Sequence, residues 1–133
     1  MHLIVCLEEH DGLHFGGRRL SSDRLVTEHI LRMSGGHNLW MNAYSAKLFS
    51  GAEVCVAEDF LEKAAIEDYC FLENSTMDGY TDKIRSVTVY RWNRRYPATV
   101  RFPVEILKSR QLVHTEDFPG NSHEIITVER YDL

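Results

Sequence analysis

The sequence has no long apolar run. Its first apolar run is short, covers residues 3–7 and is followed at once by Glu8 and Glu9. A membrane-spanning helix needs about 20 apolar residues, and a signal peptide needs a longer apolar core than this run provides. We therefore expect a cytoplasmic protein with no membrane partner.

Cysteine and surplus positive charge are also scarce. Cys6, Cys55 and Cys70 each lie in a short apolar stretch without C-x-x-C spacing, which favours buried reduced thiols over disulfides or a zinc site. Lys and Arg number 15 against 20 Asp and Glu, so the net charge is −5. Binding to nucleic acid phosphates depends on surplus cations, so this balance argues against nucleic acid as the main partner.

The motifs of several enzyme classes are missing. There is no P-loop, no G-x-S-x-G and no H-E-x-x-H. His10 and His14 are the closest histidine pair beside acidic residues, but Gly12 lies between them and disfavours a helix that would present both on one face. The sequence therefore predicts no metal site and shows no nucleophile for covalent catalysis.

What is present is typical of one globular domain covering residues 1–133, with 44% hydrophobic residues. Residues 3–7 read as a buried central strand. Ser21 and Ser22 are suitable helix N-caps, with Asp23 in the first turn. One apolar stripe follows, formed by Leu25, Val26, His29, Ile30 and Met33. Gly35-Gly36 ends the helix.

Strands and helices alternate in the first part of the chain, and strands alone occupy the last part. We predict strands at 39–41, 54–56 and 69–72 and helices at 43–49 and 58–65. The later strands are predicted at 87–92, 100–104, 111–114 and 125–128. This order indicates an α/β fold with a mixed, mainly parallel sheet, flanked by helices and closed by an antiparallel C-terminal hairpin.

Four segments, in order over nearly the whole chain, resemble the dihydrofolate reductase family. Leu20-Ser21-Ser22-Asp23 is similar to the family's Leu-Pro-x-Asp/Glu helix start after a first strand and a mobile loop. The other three segments are residues 39–45, similar to Val-Ile-Met-Gly-Arg-x-Thr; residues 87–90 with the downstream pair Phe102-Pro103; and residues 121–131, similar to the closing hairpin strand.

The resemblance implies a role for Asp23. In the family, the carboxylate at this position holds the pteridine ring, and a buried carboxylate of raised pKa can relay a proton. Asp23 is therefore the candidate catalytic residue. The alternative is an aspartate that only stabilises the N-terminus of the helix.

The resemblance also identifies the segments that would hold a cofactor. The family binds the NADPH phosphates with Gly-Arg-x-Thr and with a Gly-Gly turn after the fourth strand. Here these segments read Asn42-Ala43-Tyr44-Ser45 and Glu73-Asn74-Ser75. The arginine and glycines are absent, Glu73 adds negative charge, and only Ser45 keeps a hydroxyl. We expect NADPH binding of the family type to be weak or absent, with NADPH held by other residues as the alternative.

Arginines near the helix entrance favour an anionic ligand. Arg18, Arg19 and Arg24 concentrate positive charge there, and Asn42, Ser45 and Tyr90 complete the candidate ligand contacts. A solvated basic turn is the alternative. Strand alternation also predicts that Tyr90 and Trp92 face the core together.

Three functions remain open. The first is a diverged member of the reductase fold that binds a nucleotide-like or pterin-like molecule in the cleft near Asp23 without reductase turnover. The second is an NAD(P)H-dependent reductase with a non-standard cofactor site. The third is a small acidic interaction module or inhibitor with a protein partner or a second copy of the chain.

Overall fold

The computed structural model describes all 133 residues, which form ten strands and four α-helices. The strands are β1 (His2–Leu7), β2 (Gly12–Phe15), β3 (Arg18–Arg19), β4 (Leu39–Met41), β5 (Cys55–Val56), β6 (Tyr69–Phe71), β7 (Ser86–Arg91), β8 (Val100–Arg101), β9 (Gln111–Phe118) and β10 (Ile126–Asp132). The α-helices are α1 (Arg24–Met33), α2 (Ala43–Ala46), α3 (Phe60–Lys63) and α4 (Glu105–Lys108), with short 3₁₀ helices at Lys47–Phe49 and Thr81–Lys83.

The main sheet has seven strands in the order β5-β4-β6-β1-β7-β10-β9. The first five are mutually parallel, whereas β10 runs antiparallel to both β7 and β9. The predicted fold class is therefore confirmed: a mixed, mainly parallel sheet with an antiparallel C-terminal hairpin. The carboxyl ends of β1, β4 and β6 share one edge, which is where ligands bind in open α/β sheets.

β1 lies at the centre of the sheet, and its side chains alternate between two cores. Leu3, Val5 and Leu7 pack into one cluster with α3 and α4. Ile4 packs into the other, against α1. All four residues are fully buried, as expected for a strand covered on both faces.

The start of α1 differs from the prediction. Asp23, and not Ser21 or Ser22, is the N-cap, and its carboxylate accepts the Leu25 N–H. Val26 and Ile30 are the buried residues of the predicted apolar stripe. The shift of the cap leaves the hydroxyls of Ser21 and Ser22 free of the helix.

A small three-stranded antiparallel sheet, β3-β2-β8, was not predicted. It folds the segment 12–19 as a hairpin over the carboxyl ends of the central strands. Gly12 allows the close approach, because a Cβ there would lie 2.6 Å from the Ala98 Cβ and 2.8 Å from the Glu8 Cγ.

Other predicted elements are shorter or longer in the structure. The helix predicted at 58–65 is a single turn, and the strand predicted at 100–104 stops before Pro103, which lacks an N–H. β9 continues four residues past the predicted His114, to Phe118. No helix is long and apolar enough to cross a membrane.

Candidate functional site

The Asp23 carboxylate is fully buried and joins the start of α1 to the loop 119–125. Oδ1 accepts the N–H groups of Leu25 and Asn121, each at 2.9 Å. Oδ2 accepts the N–H of Ser122 at 2.9 Å and its hydroxyl at 3.2 Å. Burial alone would raise the pKa of Asp23, but these donors and His123 hold that pKa well below its usual range. Asp23 is therefore an ionised structural N-cap, which is the alternative interpretation. Its catalytic role stays a prediction.

His123 connects this carboxylate to a serine. Its Nδ1 lies 2.9 Å from Asp23 Oδ2, and its Nε2 lies 3.1 Å from Ser21 Oγ and 3.0 Å from the Tyr96 hydroxyl. The ring is stacked on Trp92 with centroids 4.6 Å apart. His123 is buried, whereas Ser21 is partly exposed.

A bidentate ion pair closes the hairpin onto the strand ends. Arg19 Nε donates to Glu73 Oε2 at 2.8 Å, and Nη2 donates to Oε1 at 2.9 Å. Ser45 Oγ donates to the same Oε1 at 2.7 Å. The guanidinium also lies over the Tyr44 ring, 4.4 Å from its centroid. We call the Arg19–Glu73 pair with Ser45 the latch.

A second polar contact runs beside the latch. Asn42 caps α2 by accepting the Ser45 N–H at 3.0 Å, and its amide donates to Asn74 Oδ1 at 2.8 Å. Asn74 in turn donates to the carbonyl of Gly17 at 2.8 Å. The ends of β4 and β6 and the hairpin are therefore held together by side chains that satisfy one another.

Two cavities lie on either side of Leu13 and Leu72. The inner cavity, between the latch and Ser21, has a volume of about 10 Å³, which is room for about one water. The outer pocket, between β2, the loop after β6 and the segment 100–103, has a volume of about 570 Å³. Of these two cavities, the outer pocket has the size typical of a small-molecule site.

Comparisons with known proteins agree with this topology. No family model matches the chain, and no curated protein matches it in sequence. A solved structure of dihydrofolate reductase from Enterococcus faecalis, complexed with NADP(H) and RAB-propyl, superposes with a TM-score of 0.70. The match covers 98% of this chain and 94% of that one, at 11% identity.

The chain has the dihydrofolate reductase fold. At this identity the match concerns the fold alone, and the predicted resemblance is confirmed at that level. What the reductase fold does in this chain has to be argued from its own side chains.

The structure does not assemble the predicted ligand contacts into one open site. Arg19 is paired with Glu73, and Arg24 with Glu28 on the exposed face of α1. Tyr90 is fully buried, with its hydroxyl 2.7 Å from His29 Nδ1, and does not line either cavity. Asn42 and Ser45 are near each other, and both bond to protein groups. Arg18 is exposed on β3.

Sequence reasoning missed His123. It lies 100 residues from Asp23 along the chain, and no local motif connects them. The one available signal was the Asn121-Ser122 turn at the start of the segment that resembles the closing strand. The predicted core-facing pair, Tyr90 and Trp92, is confirmed by burial.

Gly120 is required for the close approach of this loop to α1. A Cβ there would lie 2.7 Å from Asp23 Oδ2 and 2.8 Å from the His123 carbonyl oxygen. We expect Gly120→Ala to lower the free energy of unfolding by about 2 kcal/mol, because the backbone must shift. Urea denaturation would measure this. Gly35→Ala is the matched control and should cost less, because Gly35 has no positive φ and a Cβ there would lie 3.2 Å from its nearest neighbour, the Arg32 carbonyl oxygen.

Proposed function

We propose that the chain binds a small anionic molecule of nucleotide-like or pterin-like character and does not use NADPH as the reductases do. The observation that carries this is the outer pocket, at the carboxyl ends of the parallel strands, beside a latch that occupies the segments expected to hold phosphates. The ligand lies in this pocket, on the opposite side of Leu13 and Leu72 from the cleft near Asp23 that the sequence favours.

The latch residues do not fit a dinucleotide phosphate. Glu73 is buried and its carboxylate accepts from both Arg19 and Ser45. A phosphate at this position would meet the negative charge of Glu73 and would have to displace Arg19 from it. Asn42 likewise has its amide and its carbonyl in use.

The outer pocket has the chemistry of a site for a flat, charged ring. Leu13, Leu72, Met77 and Phe102 supply apolar surface, and Asn74, Ser75 and His14 supply polar groups. Arg101 lies on the rim without an ion-pair partner, so its guanidinium is available to an anion. Asp78 is the one carboxylate in the lining, and it favours a ligand that also carries a donor.

A thermal-shift panel tests the proposal. The compounds are AMP, GMP, pterin-6-carboxylate, folate and NADPH, each at a large excess. We expect a nucleotide or pterin at about 100 times its Kd to stabilise the chain by about 2.7 kcal/mol, which is a shift of several degrees.

Matched variants locate the site. Val100 lines the outer pocket and Val113 lies on the far edge of the sheet, and both are about half exposed in strands. Val100→Trp should abolish the shift because the indole fills the pocket, whereas Val113→Trp should leave it unchanged.

A shift with NADPH together with its oxidation would favour the reductase alternative. No shift with any compound would favour the interaction module.

A further inference from the structure

A chain of hydrogen bonds beside the inner cavity links Ser21 to His123 and His123 to Asp23. We propose that these three side chains form an acyl-transfer site that hydrolyses small carboxylic esters. This inference does not depend on the outer pocket, so either proposal can fail without the other.

The direction of the hydrogen bonds fixes the role of each group. Asp23 Oδ2 can only accept, so the proton between it and His123 lies on Nδ1. Nε2 then carries a lone pair and accepts the Ser21 hydroxyl at 3.1 Å. This is the nucleophile, base and orienting carboxylate of serine hydrolases, which are recognised by geometry and not by sequence order.

The base and the carboxylate are buried and the nucleophile is partly exposed, as a serine hydrolase site requires. The side chains of Asp23 and His123 are 0% and 2% exposed, and Trp92 holds the imidazole plane by stacking. Ser21 is partly exposed and borders the inner cavity. The base is therefore held rigidly while the nucleophile can be reached from solvent.

The reaction balances with water as the second substrate. Ser21 Oγ forms a bond to the ester carbonyl carbon as its proton passes to His123 Nε2. The C–O bond to the alcohol then breaks, and the alcohol leaves with that proton. Water repeats the sequence on the acyl-serine and releases the carboxylic acid. The cavity of about 10 Å³ behind Ser21 has room for about one water, so the acyl group lies on the solvent side of Ser21.

Tyr96 competes with Ser21 for the base. Its hydroxyl lies 3.0 Å from the same Nε2, which has one lone pair to accept with. In the resting protein the Tyr96 hydroxyl therefore lowers the fraction of molecules in which Ser21 is activated. Asp23 acts as a positioning residue in this scheme, because it touches His123 and not the ester.

Labelling with a fluorophosphonate ester, followed by peptide mass mapping, tests the assignment. We expect the folded protein to be labelled at Ser21 and the urea-unfolded protein not to be labelled. Ser21→Ala should lower the rates of labelling and of p-nitrophenyl acetate hydrolysis at least about 100-fold. Ser22→Ala is the matched control, since this neighbouring side chain is exposed and outside the chain of hydrogen bonds, and it should keep both rates.

Tyr96→Phe provides a second measurement with the opposite sign. Removing a competing hydrogen bond worth about 0.5–1.5 kcal/mol should raise the rate of Ser21 labelling about two- to tenfold. If Ser21, His123 and Asp23 only join the loop 119–125 to α1, Tyr96→Phe should not raise the rate of Ser21 labelling. Equal labelling of Ser21→Ala and the unsubstituted protein, or no rise with Tyr96→Phe, would overturn the proposal.

Discussion

The Asp23→Asn variant should lose about 3 kcal/mol of unfolding free energy, or roughly 10 °C in Tm. Both carboxylate oxygens accept hydrogen bonds, Oδ1 from two backbone N–H groups and Oδ2 from Ser122 and His123. An asparagine amide must place its NH₂ against one of these sets of donors. At least two buried donors then lose their acceptor, although asparagine is itself a good N-cap.

Asp59→Asn is the matched control. Asp59 is the N-cap residue of α3, but its side chain makes no capping hydrogen bond. Its substitution should change the unfolding free energy by less than about 0.5 kcal/mol. An unchanged Tm for Asp23→Asn would contradict the stabilising role of these hydrogen bonds.

The stabilisation by the Asp23 carboxylate should also depend on pH in a defined direction. The pKa of Asp23 is lower in the folded chain than in the unfolded chain, so its contribution is complete above the unfolded pKa of about 4. It is lost as the pH falls from there towards the folded pKa. Urea denaturation should therefore show that the difference in unfolding free energy between the unsubstituted protein and Asp23→Asn becomes smaller as the pH falls from about 5 to about 2.

The Arg19→Met variant should lose a similar amount, about 3 kcal/mol, because it leaves Glu73 buried without a cation. The double variant Arg19→Met, Glu73→Leu removes both charges and should recover much of that loss. Hydrogen exchange of residues 12–19 should rise in the single variant, since the hairpin loses its ion pair with Glu73 in the loop after β6.

Arg18→Met is the matched control for the latch. Arg18 is the preceding residue of β3, is exposed and has no ion pair, so its substitution should cost less than about 0.5 kcal/mol. Equal losses for the two arginine variants would show that the hairpin responds to net charge and not to the pair with Glu73.

The central part of the fold was predictable because its signals are local. The unbroken run at 3–7 indicates a strand covered on both faces, and the stripe with Val26 and Ile30 indicates α1. The sheet of β2, β3 and β8 was not predictable. β3 and β8 have only two residues each, and β8 pairs with β2 across more than 80 residues of sequence.

The candidate site was predictable only in part. Asp23 stands out in the sequence because it starts a helix, and Glu73 because it replaces a glycine of the resembling family. The pairing of Glu73 with Arg19 and of Asp23 with His123 depends on how the chain returns to the sheet edge. Neither pairing leaves a spacing that can be read along the sequence.

The central position of β1 constrains when the chain can fold during synthesis. Its register joins Leu3 to Val87 on one side and to Cys70 on the other. β1 therefore has no partner until β6 has been synthesised, and its other edge stays unpaired until β7 follows. Such distant pairings slow folding and expose apolar strand edges, so nascent chains ending before β7 should be the species that chaperones retain.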